Sequence, residues 1–163
     1  MLKRKRSLAI TAALILAALV LAGRIGLAQQ GTQCKSCTDG LANNGNLVLT
    51  YDISGLGGTS EAAFTLTATL EGHARCKNQG GNCPEAANKF GPTAVGVQGV
   101  LGVHNGRAKG SVTLPLETTL DCPGNQNPII IDATWTNIVF TVEGTVFLTD
   151  PGPISFSAGT CPA

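Results

Sequence analysis

From Phe64 to Cys76 the side chains alternate: Phe64, Leu66, Ala68, Leu70, Ala74 and Cys76 share one parity, and Thr65, Thr67, Thr69, Glu71, His73 and Arg75 share the other. Successive side chains of a strand point to opposite faces, so this run has one oily side and one wet side. A helix needs apolar residues three and four apart, and that spacing here mixes Thr with Leu on every face. The segment is predicted to be a half-buried strand of an antiparallel sheet.

The same period recurs along the chain. Leu47, Leu49, Tyr51 and Ile53 alternate with Val48, Thr50 and Asp52, and Val95, Val97, Leu101 and Val103 follow the loop Asn78 to Pro92. Asn105-Gly106 suits a tight hairpin into Ala108, Val112, Leu114 and Leu116, so two adjacent antiparallel strands are expected there. Pro115 lacks an amide donor, which places its strand at a sheet edge or interrupts it. After the loop Asp121 to Pro128, the run Ile129 to Leu148 slips: Ala133 and Trp135 have one parity, and Ile138, Phe140 and Val142 the other. A bulge near Thr136-Asn137 reconciles them. Glu143-Gly144 and Asp150-Pro151-Gly152-Pro153 are further turns, ahead of Ile154, Phe156 and Ala158. The sum is an all-β domain of about seven strands, an antiparallel β-sandwich of immunoglobulin-like strand count and turn spacing, with a barrel as the alternative architecture.

The first residues read differently. Lys3, Arg4, Lys5 and Arg6, the apolar run Leu8 to Ala22 and the small residues up to Ala28 form the order of an export signal, with cleavage expected after Ala28. Gly23-Arg24 cuts the run short of a membrane span, so an uncleaved anchor is the weaker reading and the only membrane association expected. Residues 1–28 are thus read as signal peptide, 29–45 as a polar leader ending in the turn residues Asn44-Gly45, and 46–163 as the sandwich. Five of the eleven cationic residues leave with the signal, and the six that remain face ten Asp and Glu, a net charge of −4. With Lys35, Arg75, Lys77, Lys89, Arg107 and Lys109 scattered, nucleic acid is not an expected partner.

Cys34, Cys37, Cys76, Cys83, Cys122 and Cys161 all lie in the exported part. An even count in an oxidising compartment reads as a set of disulfide candidates. Cys34-Lys35-Ser36-Cys37 has redox spacing, but that chemistry wants a helix N-terminus beside a βαβ unit, and none is visible. The cysteine spacings do not match zinc sites either, so neither metal nor cofactor is expected.

The segments Cys76-Lys77-Asn78-Gln79-Gly80-Gly81-Asn82 and Ala87-Asn88-Lys89 resemble a family of small exported microbial β-proteins of unknown function. The likeness extends to Asn46-Leu47-Val48, Gly55-Leu56-Gly57, Cys122-Pro123 and Ala133-Thr134-Trp135-Thr136-Asn137. It implies secretion and β-structure and brings no activity; Cys34 and Cys37 are outside its pattern. Because Cys76 and Cys122 sit in its two loop motifs, the resemblance favours their pairing. Cys76 with Cys83, closing the Gly-rich loop locally, is the rival.

No catalytic signature stands out. His73 and His104 are the only histidines, and His73 lies on the wet face. Asp121, Asp132, Glu143 and Asp150 are the carboxylates from which a glycosidase pair would have to come, and strand sequence does not set their separation. The Thr65, Thr67, Thr69 row is a hydroxyl-and-methyl ladder of the kind that suits any wet strand face, and Trp135 is expected in the core. The expectation is a secreted, extracellular or cell-surface protein without enzymatic activity, with a structural or interaction role toward an extracellular protein or polysaccharide. The second reading is a ligand- or carbohydrate-binding module using the loops Asn78 to Pro92 and Asp121 to Pro128. The third is a thiol oxidoreductase through Cys34 and Cys37.

Overall fold

The computed structural model describes residues 31–83 and 87–159; the export signal expected over residues 1–28 and Cys161 lie outside the described residues. Eight strands follow one another: β1 (Gln33–Leu41), β2 (Leu47–Ser54), β3 (Glu61–Lys77), β4 (Asn88–Gly102), β5 (Arg107–Leu114), β6 (Asn127–Val142), β7 (Thr145–Asp150) and β8 (Ile154–Ser157). They form two antiparallel sheets. One has the order β1-β2-β5; the other has the order β4-β3-β6-β7, with β8 also pairing β6.

The alternating run is the spine of the larger sheet. β3 pairs β4 on one side and β6 on the other, and Leu66, Ala68, Leu70 and Ala74 are buried while Thr65, Thr67 and His73 are exposed. Its inner face meets Leu47, Leu49, Tyr51 and Ile53 of β2 and Ala108, Val112 and Leu114 of β5 in one core. The Tyr51 ring lies 5.8 Å from that of Phe140, centroid to centroid, across the two sheets. Gly110 stands opposite Tyr51 in the register, and a Cβ there would come within 2.8 Å of the phenol oxygen.

The slip in β6 is a bulge. Thr67 pairs Val139 and Thr69 pairs Thr136, so Ala68 alone faces both Asn137 and Ile138. Asn137 takes a φ of 52°, a left-handed conformation that Asn tolerates better than most residues. The extra residue turns Ala133 and Trp135 before it, and Ile138, Phe140 and Val142 after it, to the same buried side.

Several sequence expectations need correction. Within the polar leader expected over residues 29–45, residues 33–41 form β1, paired from Gln33↔Ser54 to Leu41↔Leu47, and the compact unit starts at Gly31. Their polar composition conceals a strand that is specified by the uncovered edge of β2. The Asn105-Gly106 turn is present, with His104 and Arg107 bonded to each other through both amides at 2.9 and 3.0 Å. Beyond that one bridge, however, β4 and β5 diverge into different sheets, because β4 finds its ladder on β3 and β5 on β2. The expected loop up to Pro92 is shorter, since β4 begins at Asn88. Pro115 directly follows β5, which is an edge strand.

Trp135 ties the sheets together. Fully buried, its indole Nε1 donates to the Gly45 carbonyl at 3.1 Å, joining β6 to the turn that leads into β2. Gly45 has a φ of 82°, and a Cβ there would sit 2.6 Å from Leu116 and 2.7 Å from Phe156. Both the turn and the packing therefore require glycine.

Where β1 approaches β7, burial raises the Asp39 carboxyl above its usual range, and the like charge and shared hydrogen bond of Asp150 add to the effect. The Oδ2 oxygen of Asp39 is buried without a hydrogen-bond partner. A carboxyl raised in the folded state opposes folding when ionised, so stability is gained as pH falls through the folded value toward the ordinary 3.8. Asp39→Asn is expected to raise the melting temperature near pH 7, with the gain shrinking at about pH 3. Melting curves at the two pH values check this, and a variant less stable at neutral pH contradicts it.

Candidate functional site

Cys34 and Cys37 are three apart and would point to opposite faces of a regular strand. A register shift between Cys34 and Ser36 changes that: Cys34 stands opposite Ile53 and Cys37 opposite Tyr51, both core positions of β2. The bulge thus puts both sulfurs on the inner side, where they are bonded with Cα atoms 6.0 Å apart. The pair sits within an edge strand and packs against the core.

At the far end of the larger sheet, β3 ends and β6 begins, with Cys76 opposite Pro128 and Lys77 opposite Asn127. The following loop closes on itself: Asn82 N donates to Asn78 Oδ1 at 2.9 Å, Gly81 N to the Asn78 carbonyl at 3.0 Å, and Asn78 N to the Asn82 carbonyl at 3.1 Å. Asn78 acts as its clasp, and Gly81, at a φ of 82°, supplies the left-handed corner. The Cys76–Cys122 disulfide, Cα–Cα 5.6 Å, holds the second loop beside the first. This excludes the rival Cys76–Cys83 pairing; Cys83 is itself disulfide-bonded.

Between these loops lies a groove of about 480 Å³, lined by Lys77, Asn78, Gln79, Gly81, Asn125, Asn127 and Ile129. Four of these seven residues carry primary amides, each able to donate and accept, and none carries a carboxylate. Ile129 adds an apolar patch. The two loops singled out in the sequence do converge, but on a narrower set: residues 87–92 do not line the groove, because from Asn88 on they belong to β4. Asn127 falls within the expected loop, whereas Lys77 and Ile129 were missed because they read as strand ends. The signal that points to them is the amide-rich run flanking each of Cys76 and Cys122.

A second groove, about 470 Å³, opens where Asn44, Leu116, Glu117, Thr118, Pro128, Ile130 and Phe156 meet. It is mixed apolar and acidic.

The remaining candidates stay apart. His73 is exposed and pairs through Nδ1 with Asp132 at 2.9 Å, and His104 is an exposed turn residue. The Glu143 carboxylate accepts from the Ala63 amide, Asp150 accepts from the Gly152 amide at 2.8 Å, and Asp121 lies exposed in its loop. Asp132, Glu143 and Asp150 are thus each engaged in separate places. Thr65 and Thr67 are exposed as a wet strand face requires, and Thr69 accepts a long bond from Asn137. Among the described residues no group of three or more His, Cys, Asp or Glu side chains is placed to hold a metal. No helix among them is long and apolar enough to cross a membrane. No family model, curated protein or solved structure matches the chain.

The two described disulfides differ in what they constrain. In the chain-entropy account, closing a loop over a separation of 46 residues stabilises by about 4 kcal/mol, whereas a separation of 3 gives less than about half of that. Replacing Cys76 and Cys122 by Ala is expected to cost about twice as much unfolding free energy as replacing Cys34 and Cys37. Urea denaturation of the two double variants measures the ratio, and a reversed order contradicts it.

Proposed function

We propose that the chain is a secreted, non-enzymatic β-sandwich with an interaction role at the cell surface or in the extracellular matrix, and that the loop end of its larger sheet makes the contact. The disulfides fit an oxidising compartment outside the cytoplasm. The basic, apolar and small-residue order of residues 3–28 supports export by a cleaved signal. The resemblance of Cys76 to Asn82 and of Ala87 to Lys89 to small exported microbial β-proteins points the same way.

One observation carries the contact site: four primary amides line a groove held in shape by a disulfide and an Asn-clasped turn. Such a surface offers paired donors and acceptors, with Lys77 the one charged side chain among its lining residues. It suits a hydroxyl-rich, uncharged polymer, so a polysaccharide is the better match among extracellular partners. The Cys34–Cys37 pair, set in a strand away from any helix N-terminus, supports a brace over a redox centre.

The strand order also supports an immunoglobulin-like reading. Seven strands taken in order, β1-β2-β5 against β4-β3-β6-β7, follow that sandwich except that the fourth strand pairs with the third instead of the fifth. The loops between β3 and β4 and between β5 and β6 then share one end of the sandwich, and loops held by a rigid scaffold are where contact residues concentrate.

A glycan array and polysaccharide pull-down with the oxidised protein test this. Binding to a neutral polysaccharide is expected, weakened at least about tenfold by Gln79→Ala with Asn125→Ala, both exposed loop residues. Absence of binding, or binding unaffected by the pair, overturns the site.

A further inference from the structure

A sheet edge is a row of unpaired amides and carbonyls, and folded proteins guard such rows with charge, proline, bulges or shortness. Three of the edges here are guarded. β1 carries Lys35, Asp39, a register shift and the Cys34–Cys37 bond. β5 starts with Arg107 and Lys109 and is stopped by Pro115. β7 and β8 are six and four residues long and are cut off by Pro151 and Pro153.

β4 is different. It runs for fifteen residues at the edge of the five-stranded sheet, and β3 is its one partner among the described strands. From Phe90 to Gly106 there is no charged residue, and from Thr93 to Gly102 no proline either. Its register with β3 is unbroken from Thr93 to Gly102, so no bulge bends this stretch away. Val95 and Val97, which face the core opposite Ala68 and Leu66, remain half-buried, and Val100 on the outer face is 61% exposed. A further strand laid alongside would satisfy the free backbone groups and cover these three valines.

We propose that the occupant of this edge is β4 of a second copy, paired antiparallel about a two-fold axis at the middle of the stretch. Antiparallel pairing about an axis at Val97 places each residue beside one an equal distance away on the other side of it. Val95 then neighbours the partner's Gly99, and Ala94 the partner's Val100, which is thereby covered. Such pairing brings any charge near the axis close to its own symmetry mate, so a homotypic edge is favoured when the stretch around the axis has none, and this stretch has none. The product is a continuous ten-stranded sheet made from two five-stranded ones. Because each chain has one such edge, assembly stops at two.

Light scattering on the full exported chain, disulfides intact, tests the pairing at on the order of 100 μM, where an interface of micromolar affinity is filled. The wild type is expected at twice the chain mass. Ala94→Lys with Gln98→Lys sets four like charges within the pair on exposed, outward positions and is expected to yield monomer, a weakening of at least about tenfold. Ser111→Lys with Thr113→Lys adds the same charge to exposed positions of β5 and is expected to leave the dimer intact. Near-UV circular dichroism checks that Trp135 keeps its environment in both variants. A monomeric wild type overturns the proposal, as does open-ended growth, dissociation by both variants, persistence of the dimer in the β4 variant, or an edge filled instead by an added extended peptide.

Discussion

The antiparallel pairing of β3 with β6 is the constraint on which the rest of the molecule depends. These two long strands run side by side from Phe64↔Val142 to Lys77↔Asn127, and every other strand of the larger sheet is added to one or the other. Their inner side chains, Leu66, Ala68, Leu70, Trp135, Ile138 and Phe140, form the floor onto which the smaller sheet packs. That floor is continuous because the bulge at Asn137 restores the parity that the β6 sequence breaks. A strict two-residue period without the bulge would have turned either Trp135 or Phe140 into water.

Cross-links between the sheets are few and specific. Trp135 reaches the turn ahead of β2 with a hydrogen bond, and the tyrosine of β2 lies against Phe140 of β6. The Cys76–Cys122 bond secures the loop end of β3 to the chain entering β6. It acts where the sheet ladder gives out, so a groove walled by loops is kept at a fixed shape instead of fraying. The order in which the chain supplies these parts runs from period to pairing to loop placement, and the candidate contact site comes last. Its amides are positioned by elements whose own stability lies elsewhere.

Much of this was legible in the sequence, and the reasons for what was not are physical. Strands β2, β3 and β6 announce themselves because one face is buried and the other wet, which forces alternation on residues such as Leu47 to Ile53 and Phe64 to Ala74. The slip between Trp135 and Ile138 betrayed its bulge, since only an extra residue reconciles two parities on one buried face. β1 was hidden because Lys35, Ser36, Thr38 and Gly40 carry no alternating apolar pattern, and the bulge between Cys34 and Ser36 removes what parity remained. The partners of the Asn105-Gly106 turn were misread for another reason: a tight turn fixes the local reversal of the chain, not which strand each arm then pairs with. As for the groove, the two loops were visible as Gly- and Asn-rich breaks, Asn127 among them, whereas Lys77 and Ile129 gain meaning only from the register that sets the strand ends together.

If the β3–β6 ladder is the structural spine, its amides must be the last to open to solvent, because local openings expose edges and loops before the centre. Residue-resolved hydrogen exchange of the oxidised protein measures this directly. The account predicts that amides from Leu66 to Leu70 and from Ala133 to Phe140 exchange slowest, at rates set by global unfolding, with β1, β8 and the loops far ahead of them. Slowest exchange located in β1 and β2, or uniformly fast exchange through β3, would contradict it.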